Sequence, residues 1–101
     1  MIYQTRTIAI QAGKMSEAME WAVKNASYVN DNYPSLNVQV LRNVSGKVYQ
    51  VHWVASCDSL ATLEEMTAKI EADPGYQESM AESAGLFVAD TFVIRNYYTV
   101  P

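Results

Sequence analysis

A chain of 101 residues holds one domain with one core, and a formal net charge of -4, with seven Lys and Arg scattered along it, leaves no basic patch for nucleic acid. Half the residues are apolar and 18% are charged, a balance that fits a packed globular protein and argues against disorder. No apolar run approaches the ~20 residues of a membrane span, no signal-like segment stands in residues 1–13, and the one cysteine has no internal partner, so a cytoplasmic, membrane-free domain over 1–101 is expected.

Ile2 to Ile10 is dense in β-branched and aromatic residues and reads as a strand, with Gln4 and Arg6 on the same parity as Ile2, Ile8 and Ile10. Ala12-Gly13 breaks it. From Lys14 to Tyr33, Met15, Met19, Ala22, Ala26, Val29 and Tyr33 recur every three or four residues, the spacing of one helical face, with Trp21 and Tyr28 beside it. Pro34 ends that helix, because the residue before a proline is driven out of the helical region.

Leu36–Asn43 and Val48–Ala55 are strand-like runs joined by Val44-Ser-Gly-Lys47, a hairpin in which Gly46 supplies the permissive backbone. A second helix spans about Ser59 to Ala72, burying Leu60, Leu63, Met66 or Thr67, and Ile70, with Asp58 or Ser59 as its cap. Asp73-Pro74 then restarts a short helix to Ala84, since proline in a first turn forfeits no hydrogen bond. Gly85 stops it, and Val88 to Val100 is the last strand. The order strand, helix, strand, strand, helix, strand, with the second helix broken near Pro74, predicts an α+β, ferredoxin-like βαββαβ fold: a four-stranded antiparallel sheet with its helices on one face. In the third and last strands neither parity is polar, so the face left bare predicts a homodimer joined through its sheets.

This layout resembles the dimeric α/β-barrel superfamily, and within it the NIPSNAP-like and antibiotic-biosynthesis-monooxygenase-like small proteins. The residues that carry the likeness are Val51-His-Trp-Val-Ala-Ser-Cys-Asp-Ser-Leu60 leading into Ala61-Thr-Leu-Glu-Glu-Met66, then Asp73-Pro-Gly-Tyr76, and the Tyr-rich terminal strand. The resemblance implies two such domains packed sheet to sheet. It also implies cofactor-independent chemistry in which Asn, Trp, Tyr, Arg or His surround an aromatic substrate. Those residue types are present, but their spacing matches no functional motif of either family, so no catalytic role is carried over.

His52, the only imidazole, is the candidate for acid-base work, because its ordinary pKa suits proton transfer near neutral pH. The bland alternative is a half-buried strand residue with satisfied nitrogens. Gln4, Arg6, Arg42, Gln50, His52, Asn96 and Tyr98 share even parity on four strands and would share one face if no bulge intervened, either as a ligand site or as buried polar pairs at the dimer contact. Trp53 points the other way and reads as packing. One His and one Cys make no metal set, a haem would have only His52 as axial ligand, Cys57 reads as a lone buried thiol, and Gly13, Gly46, Gly75 and Gly85 form no phosphate loop; no metal or cofactor is expected. The reading is therefore a small homodimer of unknown activity that binds an aromatic or apolar molecule between sheet and helices. A cofactor-independent monooxygenase or isomerase, and a non-catalytic structural or regulatory dimer with a filled core, are the alternatives.

Overall fold

Four segments rich in β-branched and aromatic residues pair into one antiparallel sheet, in a computed structural model that describes residues 1–101. The elements in chain order are β1 (Ile2–Ile10), α1 (Met15–Asn32), a 3-10 turn (Pro34–Leu36), β2 (Val38–Arg42), β3 (Gln50–Cys57), α2 (Leu60–Glu71), α3 (Pro74–Ala81) and β4 (Phe87–Tyr98). The strand order is β2-β3-β1-β4, the arrangement expected of a split βαβ unit. No helix is long and apolar enough to cross a membrane.

The helix boundaries follow local chemistry. Ser59 has extended backbone and its hydroxyl accepts from Thr62 N at 3.1 Å, so α2 is capped there rather than at Asp58. Asp73 caps α3 by accepting from Gly75 N at 2.8 Å and Tyr76 N at 3.4 Å, with Pro74 in the first turn. After α1, Pro34 opens a 3-10 turn that buries Leu36, and Asn37 takes a left-handed φ of 44° before β2 begins. Leu36 is thus a core residue ahead of the strand, not its first member. The Asn30 side chain then grips β2, its Nδ2 donating to Val38 O at 2.9 Å and its Oδ1 accepting from Val38 N at 2.7 Å.

Several expected boundaries move: α3 ends at Ala81 rather than Ala84, and β4 runs over Phe87–Tyr98 rather than Val88 to Val100. The β2–β3 connection spans residues 43–49, longer than a tight hairpin over Val44–Lys47, with Gly46 at φ 74°. Val48 and Tyr49 lie in this loop and are exposed, and β3 instead runs on to Cys57. In α2 the row Leu63, Met66 and Ile70 packs inward while Leu60 is exposed. Helical side chains lean toward the N-terminus, so Leu60 at the first position leans past the end of its own helix.

Only 11 of 101 residues are buried, because the apolar interior is split and one sheet face has no cover. One cluster joins Ile10, Ala18, Ala22 and Val51; the other joins Val29, Leu36, Cys57 and Leu63. Cys57 is a buried free thiol with Sγ 3.4 Å from Ser59 O, as expected of a packed cysteine. Trp21, expected beside the stripe of α1, lies in it: Ala18, Trp21, Ala22, Asn25, Ala26 and Val29 are its buried residues. The acidic residues of α2 and α3 are exposed, and Glu65 pairs with Lys69 at 3.3 Å.

The β1–β4 ladder contains an irregularity. Thr7 opposes Val93 and Ala9 opposes Val88, so four residues of β4 stand against the single Ile8. Thr91 fills the gap, its hydroxyl accepting from Ala9 N at 2.9 Å and donating to Val88 O at 2.6 Å.

Candidate functional site

Strand register decides which polar side chains meet. In the β1–β3 ladder Arg6 opposes Trp53 and Thr7 opposes His52, so even residues of β1 share a face with odd residues of β3. The expectation that Gln4, Arg6, Arg42, Gln50, His52, Asn96 and Tyr98 share one face is therefore corrected. Gln4, Arg6, Arg42, Asn96 and Tyr98 fall on the helix-bearing side, as their partners Ala55, Trp53 and Val51 do. Gln50 and His52 fall on the bare side.

On the bare side His52 is held at both ring nitrogens. Nδ1 lies 2.7 Å from Thr7 Oγ1, and Nε2 meets Asn43 Oδ1. With Nε2 carrying the proton, it donates to the Asn43 carbonyl and Nδ1 accepts from the Thr7 hydroxyl, which satisfies every group. Asn43 Nδ2 also reaches Gln50 Oε1 at 3.4 Å, so the polar patch around His52 is closed on itself. No three His, Cys, Asp or Glu side chains converge as a metal set would.

On the helix-bearing side a cavity of about 460 Å³ lies between sheet and helices, and 14 of its 21 lining residues are apolar. It separates the two core clusters: Ile8, Trp53 and Phe87 belong to one side of it, and Val29, Leu36, Ala55, Ile70 and Tyr76 to the other. Trp21, Trp53 and Phe87 meet edge to face in a triangle, with ring centroids 6.1, 5.6 and 6.1 Å apart. Their indoles are anchored: Trp21 Nε1 donates to Ser79 O at 2.9 Å, tying α1 to α3, and Trp53 Nε1 donates to Ala22 O at 3.3 Å. Trp53, expected only to pack, both packs and forms cavity wall.

Of the polar residues singled out from sequence, Gln4 and Arg6 line this cavity; Arg42, Gln50, His52, Asn96 and Tyr98 do not. Asn96 acts through Gln4, its Oδ1 accepting from Gln4 Nε2 at 3.0 Å, while Gln4 Oε1 accepts from Arg6 Nε at 3.0 Å. Tyr98 is 73% exposed at the end of β4. Sequence reasoning missed Trp21, Asn25, Tyr76 and Phe87. Asn25 had left a signal: three residues after Ala22 and four before Val29, it is a polar side chain on the buried face of α1.

The α3 wall is fixed at its start by an acid held between two phenols. Asp73 Oδ2 accepts from Tyr28 Oη at 2.8 Å and from Tyr33 Oη at 2.7 Å, while its Oδ1 caps α3. Tyr33, which donates a hydrogen bond to Asp73 in a desolvated setting beside a negative charge, has its pKa pushed up to about 12. Tyr28 is raised for the same causes, and the two phenols lower Asp73 against the opposing effect of burial.

No family model and no curated protein matches the chain in sequence. Solved structures do match in shape. A NIPSNAP family protein of Agrobacterium tumefaciens superposes with a TM-score of 0.80 at 19% identity, over 98% of this chain and 92% of that one. An uncharacterized NIPSNAP domain protein of Burkholderia xenovorans gives 0.78 at 19% identity, over 100% and 94% of the two chains. An antibiotic biosynthesis monooxygenase gives 0.75 at 9% identity over 100% of both. At such identities the likeness speaks for the fold alone: the chain is a ferredoxin-like α+β domain, built as the NIPSNAP and antibiotic biosynthesis monooxygenase proteins are.

Proposed function

We propose that this protein binds a small, mostly apolar, aromatic molecule between its sheet and helices, and does so as a homodimer joined through the bare sheet face. The cavity walled by Trp21, Trp53 and Phe87 carries the first half: its size and lining suit a compact ring system, and it counts against the filled core of a purely structural dimer. The second half rests on the bare face, where Tyr3, Leu41, Val93 and Tyr97 are exposed beside the half-buried Val54.

Calorimetric titration with 2-isopropylnaphthalene tests the cavity. Saturable binding of one molecule per chain is expected, with loss of binding in Ala89→Trp, which places an indole where Ala89 now lines the wall. An absence of saturable binding to the unaltered protein sinks this reading. Light scattering tests the assembly: the dimer mass is expected, and the monomer mass for Val54→Asp, because an unpaired charge buried at an interface costs several kcal/mol.

The second reading, conversion of the bound molecule by cofactor-independent oxygenation or isomerisation, is favoured by the monooxygenase among the structural neighbours and by the polar part of the lining, Gln4, Arg6, Asn25, Thr67, Glu71 and Ser83. His52 takes no part in it, being on the other face and engaged at both nitrogens. Oxygen uptake or product formation with a bound aromatic would separate conversion from simple binding.

A further inference from the structure

Arg6 is the only cationic residue among those that line the cavity, and it is half-buried in the middle of β1. A half-buried cation is ordinarily paired, because the water it gives up has to be replaced. Here the pairing is incomplete. Nε donates to Gln4 Oε1 at 3.0 Å, and Gln4 Nε2 donates in turn to Asn96 Oδ1, so two side chains hold the plane of the guanidinium. Its two Nη nitrogens bond to no group of the protein and keep accessible surface, unlike Asn25 Nδ2, the one side-chain atom that is both sealed and unpaired.

The acceptors in the same lining do not take up this charge. Glu71 is exposed at the end of α2 and lies beyond ion-pair reach of Arg6, and neither Thr67 nor Ser83 hydrogen-bonds to it. The β1–β3 ladder sets Arg6 directly against Trp53, whose indole belongs to the aromatic triangle. Cross-strand neighbours on one face stand about 5 Å apart at Cβ, so a ring lying on that triangle brings its substituents to the guanidinium. With Nε occupied, the end-on pair of Nη groups is what remains free, the fork that grips both oxygens of one carboxylate. A dianion such as a phosphate would ask for a second cation, and the lining offers Glu71 instead. Resting on the reading that the cavity holds a small aromatic molecule, we infer that this molecule is an aromatic carboxylate, its ring against Trp21, Trp53 and Phe87 and its acid group clasped by Arg6.

The test compares 2-naphthoate with 2-acetylnaphthalene at pH 7, which share an outline and differ by a charged oxygen in place of a methyl group. Calorimetric titration of the unaltered protein and of Arg6→Met gives the ratio of acid to ketone affinity in each. The unaltered protein is expected to prefer the acid, and the ratio to fall by about tenfold or more in the variant, the scale of a hydrogen-bonded charge pair. Arg6→Lys, which keeps the charge without the fork, is expected to recover part of the ratio, as a merely structural role would not. Arg6→Gln gives the same reading if the methionine variant does not fold. Ketone binding with no preference for the acid, or a preference that survives loss of the guanidinium, overturns the role of Arg6 and leaves the cavity reading standing. Binding of neither probe, nor of 2-isopropylnaphthalene, to the unaltered protein overturns both.

Discussion

The Tyr33 hydroxyl donates to Asp73 Oδ2 at 2.7 Å across forty positions of sequence. Tyr28, in the last turns of α1 just before Tyr33, donates to the same oxygen, so the end of α1 and the start of α3 are fastened at one atom. Because α3 contributes Tyr76 and Met80 to the cavity wall, this fastening sets the position of that wall.

Alkaline titration reads the Tyr33 bond directly. A phenol whose pKa is about 12 when folded, against 10.0 ordinarily, contributes stability that is complete below pH 10 and is lost as pH rises toward 12. Melting temperatures taken across that window will fall more steeply for the unaltered protein than for Tyr33→Phe. Parallel curves would show that the bond is not formed in solution.

At the acid end the sign is reversed. Asp73 is lowered when folded, by Tyr33 and then by Tyr28, so its contribution is present above the ordinary carboxylate pKa of about 3.9 and disappears as pH falls through the folded value. Asp73→Asn will therefore melt below the unaltered protein at neutral pH, and the gap will close in acid. A gap that stays constant down to the acid transition assigns the loss to the cap geometry instead of the charge.

Gly75 owes its identity to this cluster. A Cβ there would collide with Tyr28 Oη and come within 3.2 Å of Tyr28 Cζ and 3.3 Å of Asp73 Oδ1. Gly75→Ala is expected to cost about 1–3 kcal/mol as an overpacked contact. In a Tyr28→Phe background, where the colliding hydroxyl is gone, it will cost less. Equal losses in both backgrounds, measured by denaturant melts, would locate the strain elsewhere.

The order of elements, the break at Pro74 and the cap at Asp73 were legible because each is written locally, in periodicity and in the special backbone chemistry of proline and aspartate. The pairing of faces was not. Alternation along β1 and along β3 fixes which residues of each strand go together, but whether Arg6 lies beside His52 or beside Trp53 depends on the ladder register, a relation between strands that neither strand records. Hence the seven polar residues of equal parity separate into two groups, and the cavity draws on Trp21, Asn25 and Phe87, whose apolar or helical context reads as plain core.

His52 supplies the clearest check of that separation. Replacing it by Gln gives up contacts to Thr7 and Asn43 on the bare face and is expected to cost about 1 kcal/mol of stability. Affinity for 2-isopropylnaphthalene will not change, because the sheet itself lies between His52 and the cavity. A large loss of affinity in a stably folded His52→Gln protein would place the ligand on the other face.

The four residues of β4 that stand against Ile8 give this stretch a rule of spacing. The offset is odd, so Phe87 before it, and Ala89 and Phe92 as the first and last of those four residues, all reach the cavity side, although a regular strand would turn Phe92 away from the other two. Lengthening or shortening residues 89–92 by one is thus not a change of loop length. It rotates the remainder of the strand by half a turn, carrying Ile94 and Asn96 to the bare face and Val93, Arg95 and Tyr97 beneath the helices. A change by two leaves every downstream side chain on its present side. The C-terminal third of the sheet is therefore held in phase by arithmetic at one corner, with Thr91 as the residue that keeps the count.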